Sequence, residues 1–181
     1  EKNVRCKTGN IPEYSESFEL PAGSSFTLTK YIAYVHGSTS DNLLEKAVKL
    51  CKEFKELGFN GAAKEQKDFL DEFWDKAEVK IEGDKAAEEA LEFNLFHLLQ
   101  SAGRNGKTSI AAKGLTSEGY EGHYFWDTES YVCPVFTYTA PKIAKSLLEY
   151  RFSILDTAKA RAKTMSLDGA LFPWRTISGE E

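Results

Sequence analysis

Up to about residue 37 the apolar residues follow no helical period. "SFEL" and "SSFTLTKYIAYV" flank the turn-forming "PAG", and Phe26, Leu28, Thr29, Tyr31 and Val35 favour strands. From Ser40 the spacing changes to three and four residues. Leu44, Ala47, Val48, Cys51, Phe54 and Leu57 form the apolar face of a helix, with residues 38–41 as its polar start and Gly58 as its stop. "KDFLDEFWDKA" predicts a second helix with Phe69, Leu70, Phe73, Trp74 and Ala77 on one face. "IEGD" breaks the pattern, Asp84 is placed to cap, and a third helix runs from about Lys85 to Ala102 on a stripe of Ala87, Ala90, Leu91, Leu95, Leu98 and Leu99. Residues 101–125 are rich in glycine and aperiodic yet carry apolar and aromatic side chains, a combination that points to a functional loop. A fourth helix is predicted to about Tyr138, capped by Asp127 or Thr128 and with Pro134 in its first turns. A fifth runs from Pro141 to about Lys163 on Ala144, Leu147, Leu148, Arg151, Leu155 and Ala158. "LDGALFPW" is loop again.

Composition narrows the partners. Hydrophobic residues make up 41% of the 181 residues, enough for a core, and the net charge of -5 argues against a nucleic-acid backbone or an anionic membrane as principal ligand. No apolar run is long enough to span a bilayer. The three cysteines, Cys6, Cys51 and Cys133, lie far apart without a CxxC pair, which disfavours a disulfide framework or a zinc site and suits a cytoplasmic setting. The start at Glu1 suggests an excised piece of a longer protein.

The chemistry concentrates in "EGHYFWDTESYVCP". His123, Tyr124, Phe125, Trp126, Asp127 and Glu129 side by side suit a surface that stacks on a ring while hydrogen-bonding its edge, and a sugar offers both. Read alone, aromatics such as Phe125 and Trp174 more often fill cores than bind sugars. His123, Asp127 and Glu129 could be metal ligands, but carboxylates so spaced more often cap a helix or pair with a base, so no metal is expected. Glu180 and Glu181 are adjacent and seldom could both face one substrate. Asn94 and His97 are expected to be satisfied polar groups.

The run "IAAKGLTSEGYEGHYFWDTESYVCPVFTYTAPKIAKSLLEYRFSILDTAKARAK", followed by "GALFPWRTISGEE", resembles glycoside hydrolase family 65, the inverting disaccharide phosphorylases of the maltose, trehalose, kojibiose and nigerose type. The likeness is continuous over about residues 78–181. It implies a mainly α protein: residues 1–37 as the end of an N-terminal β-sandwich, 38–83 as a helical linker, and 84–181 as the first helices of an incomplete (α/α)6 catalytic barrel. It implies a reaction in which inorganic phosphate cleaves an α-linked glucobiose to β-glucose 1-phosphate and a free sugar, without metal or organic cofactor. Phosphate is already an anionic nucleophile, so such an enzyme needs an acid but not the base that activates water in ordinary inverting glycosidases. The family's general acid is expected downstream, leaving no catalytic residue in this chain, which alone should be inactive. Phe125, Trp126 and Asp127 match the family's "FWD" and Trp174 its "PW"; the resemblance assigns these four to the non-reducing glucose. "FPWRTISGEE" is more similar to kojibiose-type than to maltose-type members. A family hydrolase and a non-catalytic carbohydrate-binding module are the alternatives. Self-association of this chain, and a homodimer for the full-length protein, are further expectations.

Overall fold

The computed structural model describes the side chains of residues 19–37, 42–115 and 119–180 and the backbone of two short strands before them. The chain is mainly helical and divides into two compact units, residues 1–64 and 65–181.

In the first unit β1 (Lys2–Arg5) pairs antiparallel with β2 (Glu13–Glu16), Lys2 opposite Glu16. The strand expected over "SSFTLTKYIAYV" does not form; residues 24–37 carry no regular structure. A strand needs a neighbour's backbone groups to pair with, and here Leu28 and Tyr34 are exposed, at 76% and 91%. "SFEL" lies partly, and the polar start at 38–41 wholly, outside the described residues. Helix α1 (Leu43–Ala77) is instead capped by Asn42, whose Oδ1 accepts from the Glu45 N–H at 3.2 Å. Gly58 interrupts α1 as the sequence predicts, at φ 74° and ψ 169°, but helix resumes at once rather than near Lys67.

The second unit holds the core. Phe73 and Ala77 from α1 meet Leu95 and Leu99 of α2 (Lys85–Ser101), Cys133 and Phe136 of α3 (Cys133–Thr139), and Ile143, Ala144 and Leu147 of α4 (Pro141–Ser153). Phe136 and Leu147 are completely buried. Asp84 caps α2 as expected, Oδ1 accepting from the Ala87 N–H at 3.0 Å. Glu88 adds a tie from inside the helix by accepting from the Ile81 N–H at 2.8 Å.

Two expectations fail here. The fifth helix is two, α4 and α5 (Leu155–Thr164), because Ile154 leaves the helical conformation where Ser153 Oγ donates back to the Tyr150 carbonyl at 2.7 Å. The fourth begins as a wide π-helical turn, Thr128–Val132, in which the Cys133 N–H reaches Thr128 O. Pro134 has no N–H to give to Ser130 O, so the ordinary helical ladder cannot be continuous there. Nor does Asp127 cap: it already has helical angles, φ -51° and ψ -32°, and makes no capping bond. Thr128 does not cap either; it is buried.

Candidate functional site

Two loops meet at one end of α3 and α4. The first carries "GYEGHYFWD", the second "ALFPWRTISG". They are joined by a two-residue antiparallel ladder, β3 (Tyr124–Phe125) with β4 (Arg175–Thr176), which sets Tyr124 opposite Thr176 and Phe125 opposite Arg175. Three of the four residues singled out from the sequence converge there. Trp126 and Trp174 meet edge to face with ring centroids 5.3 Å apart, and Phe125 meets Trp174 in the same way at 5.5 Å. Tyr120 extends the cluster against Phe125 at 5.2 Å. The indole Nε1 of Trp126 donates to Pro173 O at 2.7 Å, which locks the first loop to the second through a polar bond as well as ring packing.

Trp126 and Trp174 remain 43% and 47% exposed, so each keeps part of its ring surface for a ligand. Asp127 is exposed beside them, immediately before the π-helical turn. A carboxylate there is favoured by the free N–H groups and positive end of the helix, and both of its oxygens can accept from hydroxyls.

The other members of the motif turn elsewhere. His123 donates from Nδ1 to Tyr120 O at 2.7 Å, since a carbonyl can only accept. Tyr124 packs edge to face on Tyr150 at 5.1 Å. Glu129 points inward to Arg151 of α4, Oε2 to Nη2 at 2.7 Å. No group of three or more His, Cys, Asp or Glu side chains among the described residues is placed to hold a metal ion. Glu180 is exposed, and Glu181 lies outside the described residues.

Beneath the aromatic cluster the loops are pinned to α4. Tyr150, 2% exposed, donates its hydroxyl to Ile177 O at 2.9 Å. Burial pushes that phenol up to about 12, with Tyr124, Glu129 and Glu180 adding to the rise and Arg151 opposing it. Thr176 is fully buried, and its Oγ1 accepts from the Gly179 N–H at 2.7 Å. At the rim Arg175 pairs with Glu121 at 2.8 Å, holding a turn in which both Tyr120 and Glu121 adopt positive φ, 50° and 53°. Such backbone is costly for residues with a Cβ and is tolerated only where surroundings hold it.

Sequence reasoning named Glu129 within the motif but missed Tyr150 and Arg151 as parts of this assembly. One signal was available: Arg151 falls on the apolar stripe of its helix, and a guanidinium at a core position calls for a carboxylate partner.

Residues 92–181 match the family described as "Glycosyl hydrolase family 65 central catalytic domain", and the chain belongs to that family. It is 52% identical over 165 residues, 90% of this chain and 21% of the relative, to an alpha,alpha-trehalose phosphorylase of Thermoanaerobacter brockii. A second alpha,alpha-trehalose phosphorylase, from Geobacillus stearothermophilus, is 58% identical over 142 residues, 78% of this chain and 19% of the relative. A kojibiose phosphorylase of Thermoanaerobacter brockii is 40% identical over 93% of this chain and 22% of its own length. Among solved structures, a human-microbiome protein described as a kojibiose phosphorylase superposes with a TM-score of 0.70 at 35% identity, over 77% of this chain and 19% of its own. The chain therefore spans about one fifth of the length of the relatives it matches. No helix among its described residues is long and apolar enough to cross a membrane.

Proposed function

We propose that this chain supplies the glucose-binding wall of an inverting disaccharide phosphorylase, which cleaves an α-linked glucobiose with inorganic phosphate to β-glucose 1-phosphate and a free sugar. The observation that carries the reading is the convergence of Phe125, Trp126 and Trp174 beside the exposed Asp127. Trp126 packs against a pyranose ring, Trp174 forms the second wall, Phe125 backs both, and Asp127 accepts hydrogen bonds from the sugar hydroxyls. Hydrogen bonds from hydroxyls to a carboxylate are charge-assisted and discriminate between epimers, because a misplaced hydroxyl leaves an acceptor unpaired.

Among glucobioses α,α-trehalose is the first candidate. Relatives named for it are 52% and 58% identical to this chain, against 40% for one named for kojibiose. The general acid that protonates the leaving sugar, and the residues that hold phosphate, come from other parts of such an enzyme, in which residues 84–181 contribute the first helices of an (α/α)6 barrel, residues 38–83 a linker and residues 1–37 the end of a β-sandwich. Neither a metal nor an organic cofactor takes part. Cys51 and Cys133 carry free thiols, which suits a cytoplasmic enzyme. The full-length protein is proposed to be a homodimer.

The test is to incubate the complete protein with trehalose, kojibiose, nigerose and maltose, with and without phosphate. Release of β-glucose 1-phosphate only when phosphate is present supports the reading. Equal sugar release in both conditions identifies a hydrolase, and sugar binding by calorimetry with no release in either condition favours a carbohydrate-binding module.

A further inference from the structure

The Glu129–Arg151 pair is built in an unusual way. Both side chains are mostly buried, 19% and 11% exposed, yet a single hydrogen bond joins them. Glu129 Oε1 and Arg151 Nε and Nη1 are buried and have no hydrogen-bonding partner among the described residues. Taking two charges out of water and leaving three polar atoms unmatched is a poor way to gain stability; an apolar pair of similar volume would fill the space at less cost. What the pair achieves is registration. Glu129 lies three residues beyond Trp126 on the π-helical turn, so it anchors the first loop. The Arg151 guanidinium lies 5.9 Å from the ring centre of Phe172, two residues before Trp174, so the same side chain touches the second. Its neighbour Tyr150 bonds Ile177 O, three residues past Trp174. The consecutive residues Tyr150 and Arg151 of one rigid helix therefore hold both loops that carry the tryptophans.

We infer that Arg151, acting through Glu129 and Phe172, is a positioning residue that sets the spacing between the Trp126–Asp127 wall and the Trp174 wall, and so the affinity for the sugar ring between them. The assignment of those walls to sugar rests on the function proposed above; the positioning itself does not. A planar guanidinium suits the task because it can bond a carboxylate at its edge and lie against a ring with its face, which an ammonium cannot do together.

The experiment uses the complete protein and three variants, Arg151→Met, Arg151→Lys and the double variant Glu129→Gln/Arg151→Met. Two coupled indoles in contact give a circular-dichroism couplet, assigned here to the Trp126–Trp174 pair by its loss in Trp126→Phe. The double variant, which leaves no unpaired charge, should melt close to wild type yet lose most of the couplet. Its KM for disaccharide should rise on the order of tenfold or more, while its KM for phosphate stays unchanged. If Arg151→Met does not fold, Arg151→Lys decides, since it keeps the charge but not the flat face, and its couplet should also fall. An intact couplet in the double variant and in Arg151→Lys overturns the inference, as does an equal rise in both KM values. Because the couplet is read without substrate, it decides the positioning role even if no phosphorolysis is found.

Discussion

The indole N–H of Trp126 reaches the carbonyl oxygen of Pro173, 47 residues further along the chain, at 2.7 Å. This bond, with the edge-to-face contact between Trp126 and Trp174, makes one wall out of two loops. It also restricts what can replace Trp126. Phenylalanine keeps a ring but loses the donor and leaves the Pro173 carbonyl without that partner. Trp126→Phe is therefore expected to lower the unfolding free energy by about 1–2 kcal/mol in urea titration, and an unchanged midpoint would show that the bond adds nothing.

Tyr150 gives the fold a high-pH limit. Its phenol is raised from the ordinary 10 to about 12 in the folded protein, first by burial, so the native state holds this proton more tightly than the unfolded chain. The resulting stability is fully present below pH 10 and is lost as pH rises from 10 through 12. Thermal melts of wild type should fall across that window more steeply than those of Tyr150→Phe, which has no proton to lose. Parallel curves would contradict the assignment. Tyrosinate absorbance should show Tyr150 ionising late.

The helical pattern was legible because it rests on local rules. Asp84 stands directly before an apolar-periodic run and caps it; Gly58 stands at the end of another and interrupts it. The aromatic run at residues 123–129 pointed to a sugar by itself, but Trp174 joined it only through the resemblance, since nothing in the spacing of Trp126 and Trp174 says that they touch. What the sequence reading got wrong depended on particular hydrogen bonds. Ser153 could have bonded water, but it bonds Tyr150 O and divides a helix. Asp127 could have capped a helix, but it already has helical backbone angles before the wide turn at Thr128 and its carboxylate makes no capping bond. The strand over residues 24–35 was a propensity without a partner to pair with. For Glu129 the reading that such carboxylates pair with a base holds, but the base, Arg151, lies 22 residues away and was not named as its partner.

The first unit leaves large apolar side chains in water. Leu28, Tyr34, Leu44 and Phe59 are 76%, 91%, 76% and 67% exposed. Apolar surface of that kind drives association. The 181-residue chain on its own is therefore expected to show a light-scattering mass that grows with concentration. A monomer mass held constant from dilute to concentrated solution would contradict this.

The account turns on Asp127 as the acceptor of sugar hydroxyls. The most direct measurement is the initial rate of α,α-trehalose phosphorolysis by the complete protein and by its Asp127→Ala variant. Asp127 is exposed and makes no capping bond, so the variant should lose at most about 1 kcal/mol of stability, from the helix end alone, and remain folded. Loss of a charged partner of the substrate should lower kcat/KM by about 2–4 kcal/mol of transition-state binding, roughly 30- to 1,000-fold. A folded Asp127→Ala variant with near wild-type kcat/KM would contradict the account.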